Sequence, residues 1–146
     1  MTEWAAGRRK DWPYGSRGMR VVVIRAGKVT IRARLLETPT AERIWAALPI
    51  HAEAKMWGRE IYFNSPVSSD REPEARDVVS AGEIAFWPDG DAIAIGFGPT
   101  PVSRRGEIRM ASPCNIWAMA LDDVSRLKSV HAGEGVSIVE ANAHDC

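Results

Sequence analysis

The chain has 146 residues, 45% of them hydrophobic and 26% charged, which suits one globular domain that buries its own core and excludes collagen-like, long disordered and coiled-coil chains. Lys plus Arg number 19 and Asp plus Glu number 19, so the formal net charge is zero and no overall field draws the protein to nucleic acid or to an acidic membrane. No apolar run reaches about 18 residues and no apolar segment follows the polar N-terminus, so neither a spanning helix nor a signal peptide is expected and a cytoplasmic location is the default.

Residues 1–18, rich in Gly and Arg and without periodicity, read as a flexible basic arm. Its Arg8-Arg9-Lys10 run beside Trp4, Trp12 and Tyr14 offers the cations and stacking faces that single-stranded nucleic acid uses, but a solvated extension has the same composition and is the simpler reading. The domain is expected over 19–141, with a tail at 142–146. MRVVVIRA (19–26) is a β-branched run, Gly27-Lys28 a turn, and VTIRARL (29–35) alternates apolar and polar residues, which predicts a hairpin with one wet face. Thr38 then stands as an N-cap with Pro39 at the first helical position; Ala41, Ile44, Trp45 and Leu48 fall at helical spacing until Pro49.

Ile50 to Trp57 reads as a strand interrupted by Gly58. It continues in REIYF, with Ile61 and Phe63 on one face and Glu60 and Tyr62 on the other. Asn64 to Glu74 is a surface loop leading to a short turn at EARDVV. GEIAFW and AIAIGF flank Pro88-Asp89-Gly90-Asp91, a hairpin that sends Ile84, Phe86, Ile93, Ile95 and Phe97 to one face and Ala85, Ala92, Ala94 and Gly96 to the other. A loop GPTPVSRRGE (98–107) precedes a strand through Cys114 to Met119. A second helix is expected over Leu121 to Val130, with Asp122 and Asp123 in its first turn, and VSIVE supplies the last strand. The pattern predicts a mainly β fold: a closed eight-stranded antiparallel barrel, filled by its own side chains, with two short helices capping it. Ligands then bind outside the barrel or at its rim.

WGREIYFNSPV (57–67), GEIAFWPDGDAIAIGFGPTPVS (82–103) and EIRMASPCNI (107–116), in this order and spacing, resemble a bacterial and archaeal family of cyclophilin-like proteins, over essentially Met19 to Glu140. The resemblance implies the barrel with a helix at each end, and for activity it implies little. Prolyl isomerisation in cyclophilins rests on a Phe-His-Arg strand and a Phe-Met-x-Gln-Gly-Gly stretch, and neither stands in this chain. The family tends toward Asn-x-Ile-Gly-Lys where this chain has Asn115-Ile116-Trp117-Ala118-Met119, which places any contact of that glycine and lysine in doubt.

Five residues stand out as candidate ligand contacts. Glu60 and Tyr62, if Ile61 and Phe63 fill the barrel, lie on the outer wall, where a carboxylate and a phenol orient an amide or amine; the competing reading pairs Glu60 with an arginine. Trp87, among alanines and Gly96, either lines a groove or is covered by a helix. Arg109 and Asn115 either donate to a ligand carbonyl or carboxylate or brace loops. Catalytic residues are not assigned. His51 and Glu53 share a strand face without a third ligand, so no metal is expected; GFGPTP is no phosphate loop and no cofactor phrase is present. Cys114 and Cys146 lack CxxC spacing and read as free thiols, Cys114 as a buried hydrophobe. The function expected is binding of a peptide or small amide-bearing ligand on the outer wall. One alternative is a prolyl isomerase with a rearranged site that uses Arg59 or Arg109. Another is a subunit of an amide- or lactam-processing complex with a protein partner, since the barrel also resembles a subunit of bacterial oxoprolinase. Neither a membrane nor nucleic acid is an expected partner.

Overall fold

A computed structural model describes residues 19–142; the expected arm and the end of the expected tail lie outside the described residues. The first hairpin joins β1 (Val21–Ala26) to β2 (Val29–Leu35), and the alternation of β2 sends Val29, Ile31, Ala33 and Leu35 into the core. Helix α1 (Pro39–Ala47) begins where the Thr38 hydroxyl accepts the Ala41 N–H at 3.1 Å, and it buries Ala41 and Ile44 against one end of the sheet. There follow β3 (Ile50–Glu53), β4 (Lys55–Met56), β5 (Glu60–Asn64), β6 (Arg76–Val79), β7 (Glu83–Trp87), β8 (Ala92–Gly96), β9 (Ile108–Ala120) and, after a 3-10 helix at Val124–Ser129, β10 (Gly135–Glu140).

The antiparallel strands follow one another in the order β3-β10-β1-β2-β9-β7-β8-β5-β4. The two ends of that path, β3 and β4, are one run of chain kinked at Ala54, so the sheet returns on itself. With β3 and β4 taken as one stave the barrel has eight, as the periodicity predicts, and β6 is a ninth strand outside it, paired to β9. Ile24, Ile31, Ile61, Phe63, Ile84, Phe86, Ile93, Ile95 and Ile138 fill the interior, which an eight-stranded barrel leaves just wide enough for side chains. Trp117 joins them through a bulge: Ile84 pairs with Ala118 and Ala85 with Ile116, so Trp117 is the extra residue, and its indole N–H donates to the Ala85 carbonyl at 3.2 Å.

Two elements differ from expectation. The second helix is a 3-10 turn. Val124, Leu127 and Val130 recur every third residue without an i+4 companion, the period at which 3-10 side chains align. Asp123 caps it by accepting the Ser125 N–H at 2.9 Å, Leu121 is 46% exposed, and Asp122 turns away to take the Arg32 guanidinium at 2.9 Å. The turn expected at EARDVV is confined to its start, at Pro73-Glu74, and Arg76–Val79 is a strand, β6, because its neighbour β9 runs on for 13 residues, far beyond the barrel stave the sequence suggests. The second half of β9 lies between β2 and β7 as a stave. The first half, 108–114, pairs with β6 and folds over the outer wall.

Candidate functional site

The outer wall is set by the same alternation that fills the interior. Along β5, Ile61 and Phe63 point in, which sends Glu60 and Tyr62 out; in the register of the sheet Glu60 faces Gly96 and Tyr62 faces Ala94 on β8, and Ala92 faces Trp87 on β7. A row of Ala92, Ala94 and Gly96 therefore runs between an acid and a phenol on one side and an indole on the other. Small residues there leave room for a second layer. That layer is the β6–β9 flap, not a helix: Val79, Met110 and Cys114 form a separate apolar cluster with Ala85 and Ala94. Gly96 is required by this approach, because a Cβ on it would stand 2.4 Å from Ile108 Cγ2 and 3.1 Å from Met110 Cε.

Beside the flap contact the two layers part to leave a pocket of about 250 Å³ lined by Trp57, Glu60, Tyr62, Trp87, Met110 and Cys114 together with Ala92, Ala94 and Ala111. Trp87 is held in place from two sides. Its ring lies across Gly90, where a Cβ would come within 2.3 Å of Cζ3, and its N–H donates to Ser112 Oγ at 2.6 Å, whose hydroxyl donates on to Asp89 at 3.0 Å. The hairpin turn, the wall and the flap are thereby tied together at one edge of the pocket.

Glu60 is 6% exposed, and its Oε1 has no hydrogen-bond partner among the described residues. Loss of water without a compensating donor disfavours the charged form, and burial pushes its carboxyl up to about 7. The alternative, an arginine pair, is not formed with any described residue. Cys114 shares the pocket; burial first, then the negative charges of Glu60 and Asp89, push its thiol up to about 12, so it stays protonated and is no nucleophile at neutral pH.

Of the five candidate contacts, Glu60, Tyr62 and Trp87 meet in this pocket, while Arg109 and Asn115 stand apart from its lining. Arg109 is fixed in the flap, donating to Glu107 at 2.7 Å and to Asp77 on β6 at 2.8 Å. Asn115, 1% exposed, donates to Thr40 Oγ1 at 3.0 Å and to the Asp70 carbonyl at 2.8 Å and accepts the Glu72 N–H at 2.8 Å. It fastens the 65–75 loop to the start of α1. Both make the loop-bracing bonds that compete with a ligand role. Arg59, the other arginine considered for amide chemistry, lies over Gly98 and is also outside the lining. Sequence reasoning missed Trp57, Met110 and Cys114 as pocket residues. Trp57 is adjacent to the Gly58 interruption, a signal within reach, whereas Met110 and Cys114 arrive only because β9 folds back as a flap. Among the described residues no group of three or more His, Cys, Asp and Glu side chains is placed to hold a metal ion, and no helix is long and apolar enough to cross a membrane.

A closed barrel of these staves, with an added strand pair on its wall, defines a cyclophilin-like domain, and the cyclophilin-like family model matches residues 19–139. The chain belongs to that family. It is 37% identical to a hypothetical protein from Archaeoglobus fulgidus known from its solution structure; the similarity covers 87% of this chain and 99% of that one with a TM-score of 0.74. It also shares its fold with McbB, whose structure is a complex with tryptophan, at 14% identity and a TM-score of 0.61 over 81% of this chain, which spans 44% of McbB. No curated protein matches the chain.

Proposed function

We propose that the protein is a binding module that holds a small molecule in the outer-wall pocket, with an N–H of the ligand donating to Glu60 and its apolar body lying among Trp57, Tyr62 and Trp87. One observation carries this reading: Glu60, whose Oε1 is buried without a partner among the described residues, lines a pocket with aromatic walls. Native proteins satisfy nearly all buried polar groups, and one left alone in a cavity is a place where a ligand supplies the missing bond. The volume favours a small molecule over a peptide. About 250 Å³ lies below the roughly 300–1,000 Å³ range of pockets for drug-sized ligands. McbB, which shares this fold over 44% of its length and whose structure is a complex with tryptophan, gives support at the level of fold alone.

The test is a fragment screen by amide and indole NMR on the labelled protein, repeated with Ala94→Leu, which fills the pocket from its floor. Fragments that bind should shift the Trp57 and Trp87 indole signals and the Gly96 amide, and lose those shifts in Ala94→Leu. Fragments that gather instead around Arg109 or Asn115, and survive Ala94→Leu, would contradict the assignment.

A further inference from the structure

Among the described residues three aromatic side chains and one carboxyl line the outer-wall pocket, and no described Lys, Arg or His is in its lining. Of the described cations nearby, three arginines are held by acids and Lys55 lies at the Tyr62 ring. Arg109 is held by Glu107 and Asp77, Arg76 by Glu83, Arg71 lies 4.0 Å from Asp89, and Lys55 Nζ stands 5.9 Å from the Tyr62 ring centroid without lining the pocket. The groups that share the pocket with Glu60 offer it no positive charge either: the Cys114 thiol from β9, the Tyr62 phenol from β5, and Trp87, Ala92 and Ala94 from β7 and β8. Beyond them Asp89 and Asp77 act on Cys114 as negative charges and Arg71 as a positive one, and none of the three lines the pocket. Of the side-chain donors in the pocket, the Trp87 N–H is committed to Ser112 Oγ and the Cys114 thiol to the Ser112 carbonyl, while Tyr62 with its hydroxyl and Trp57 with its N–H also line it.

Aromatic faces carry negative electrostatic potential and attract cations, most strongly where water is excluded. A box of aromatic rings closed by a buried carboxyl is therefore a site that lacks one positive charge. Building on the pocket assignment above, we infer that the ligand is a small organic cation, a protonated alkylamine, whose ammonium N–H donates to the Glu60 carboxylate while its alkyl body fills the space between Trp57, Tyr62 and Trp87. Bringing in the cation fixes Glu60 as the anion, so binding releases the proton that the free pocket holds below about pH 7.

The experiment compares three probes of one shape: cyclohexylammonium, cyclohexanol and cyclohexanecarboxamide, titrated against the full chain and against Glu60→Gln, with the Trp57 and Trp87 indole signals as readout. At about pH 8, cyclohexylammonium should bind more tightly than either neutral probe by roughly tenfold or more. Its affinity should fall by up to about tenfold for each pH unit below 7, and Glu60→Gln, which keeps the shape and removes the charge, should erase both the preference and the pH dependence. If the alcohol or the amide binds as tightly as the amine, or Glu60→Gln leaves the amine's affinity unchanged, the cation inference is wrong while the pocket assignment stands. If none of the three shifts either indole, both fall.

Discussion

The two faces of β5, β7 and β8 are built from the same strands and the same alternation, yet they differ in what they do. The inner face carries Ile61, Phe63, Ile84, Phe86, Ile93 and Ile95, all fully buried and packed against one another. The outer face carries Glu60, Tyr62, Ala92, Ala94, Gly96 and Trp87, and there the covering layer stops short, leaving a cavity and an unpartnered carboxyl oxygen. One face maximises apolar burial; the other keeps a buried polar group that folding alone would discard. A buried polar group without a partner calls for an explanation, and the ligand proposed above supplies one.

Substitutions should separate the faces by size and by sign. Phe86→Ala, on the inner face, should cost about 3–5 kcal/mol in denaturant unfolding, since it leaves a cavity in a closed barrel. On the outer face Glu60 should act in the opposite direction. Its folded-state carboxyl lies near 7 against an ordinary 4.5, so the folded chain holds that proton more tightly than the unfolded chain does. The associated stability is fully present below about pH 4.5 and is lost as the pH rises to about 7. The difference between wild type and Glu60→Gln should therefore shift by about 3 kcal/mol across that window in favour of the variant at high pH, as measured by urea unfolding at a series of pH values. A flat difference would mean that the carboxyl is solvated.

Asn115→Ala, a buried change outside the pocket, should cost about 1–3 kcal/mol by leaving Thr40 and the Asp70 carbonyl short of a donor. It should leave probe binding at Trp57 and Trp87 unchanged, and a loss of binding would place Asn115 in the ligand's path. Arg109→Ala should have the smallest effect. Amide exchange over Met110 to Cys114 should quicken as the flap loses its ties to Glu107 and Asp77, with global unfolding hardly moved.

Much of this comparison is legible in the residues. The opposition of Ile61 and Phe63 to Glu60 and Tyr62, and of Ile84, Phe86, Ile93 and Ile95 to the alanines, follows from period-two alternation and survives intact in the barrel. The second helix is legible only as a helical segment: its i, i+3 spacing suits an α-helix as well, and the structure makes it a 3-10 turn over Val124–Ser129. What local pattern does not carry is the flap. β6 is a strand only because β9 is there to pair with it, and β9 changes partners midway, so the roof of the pocket, with Met110 and Cys114, is a product of long-range pairing. The roles of Arg109 and Asn115 were open for the same reason. Beside the local Glu107, the partners that fix them, Asp77 for Arg109 and the 70–72 backbone for Asn115, are more than thirty residues away in the chain.

The claim on which the rest depends is that Glu60 is a buried, unpaired acid facing a pocket. The most direct measurement is a pH titration of its carboxyl carbon by NMR in glutamate-labelled protein, assigned by its loss in Glu60→Gln. A midpoint near 7 in the free protein, moving downward when cyclohexylammonium is added, is the predicted result. A midpoint near 4.5 that no probe moves would show a solvated surface acid and contradict the account.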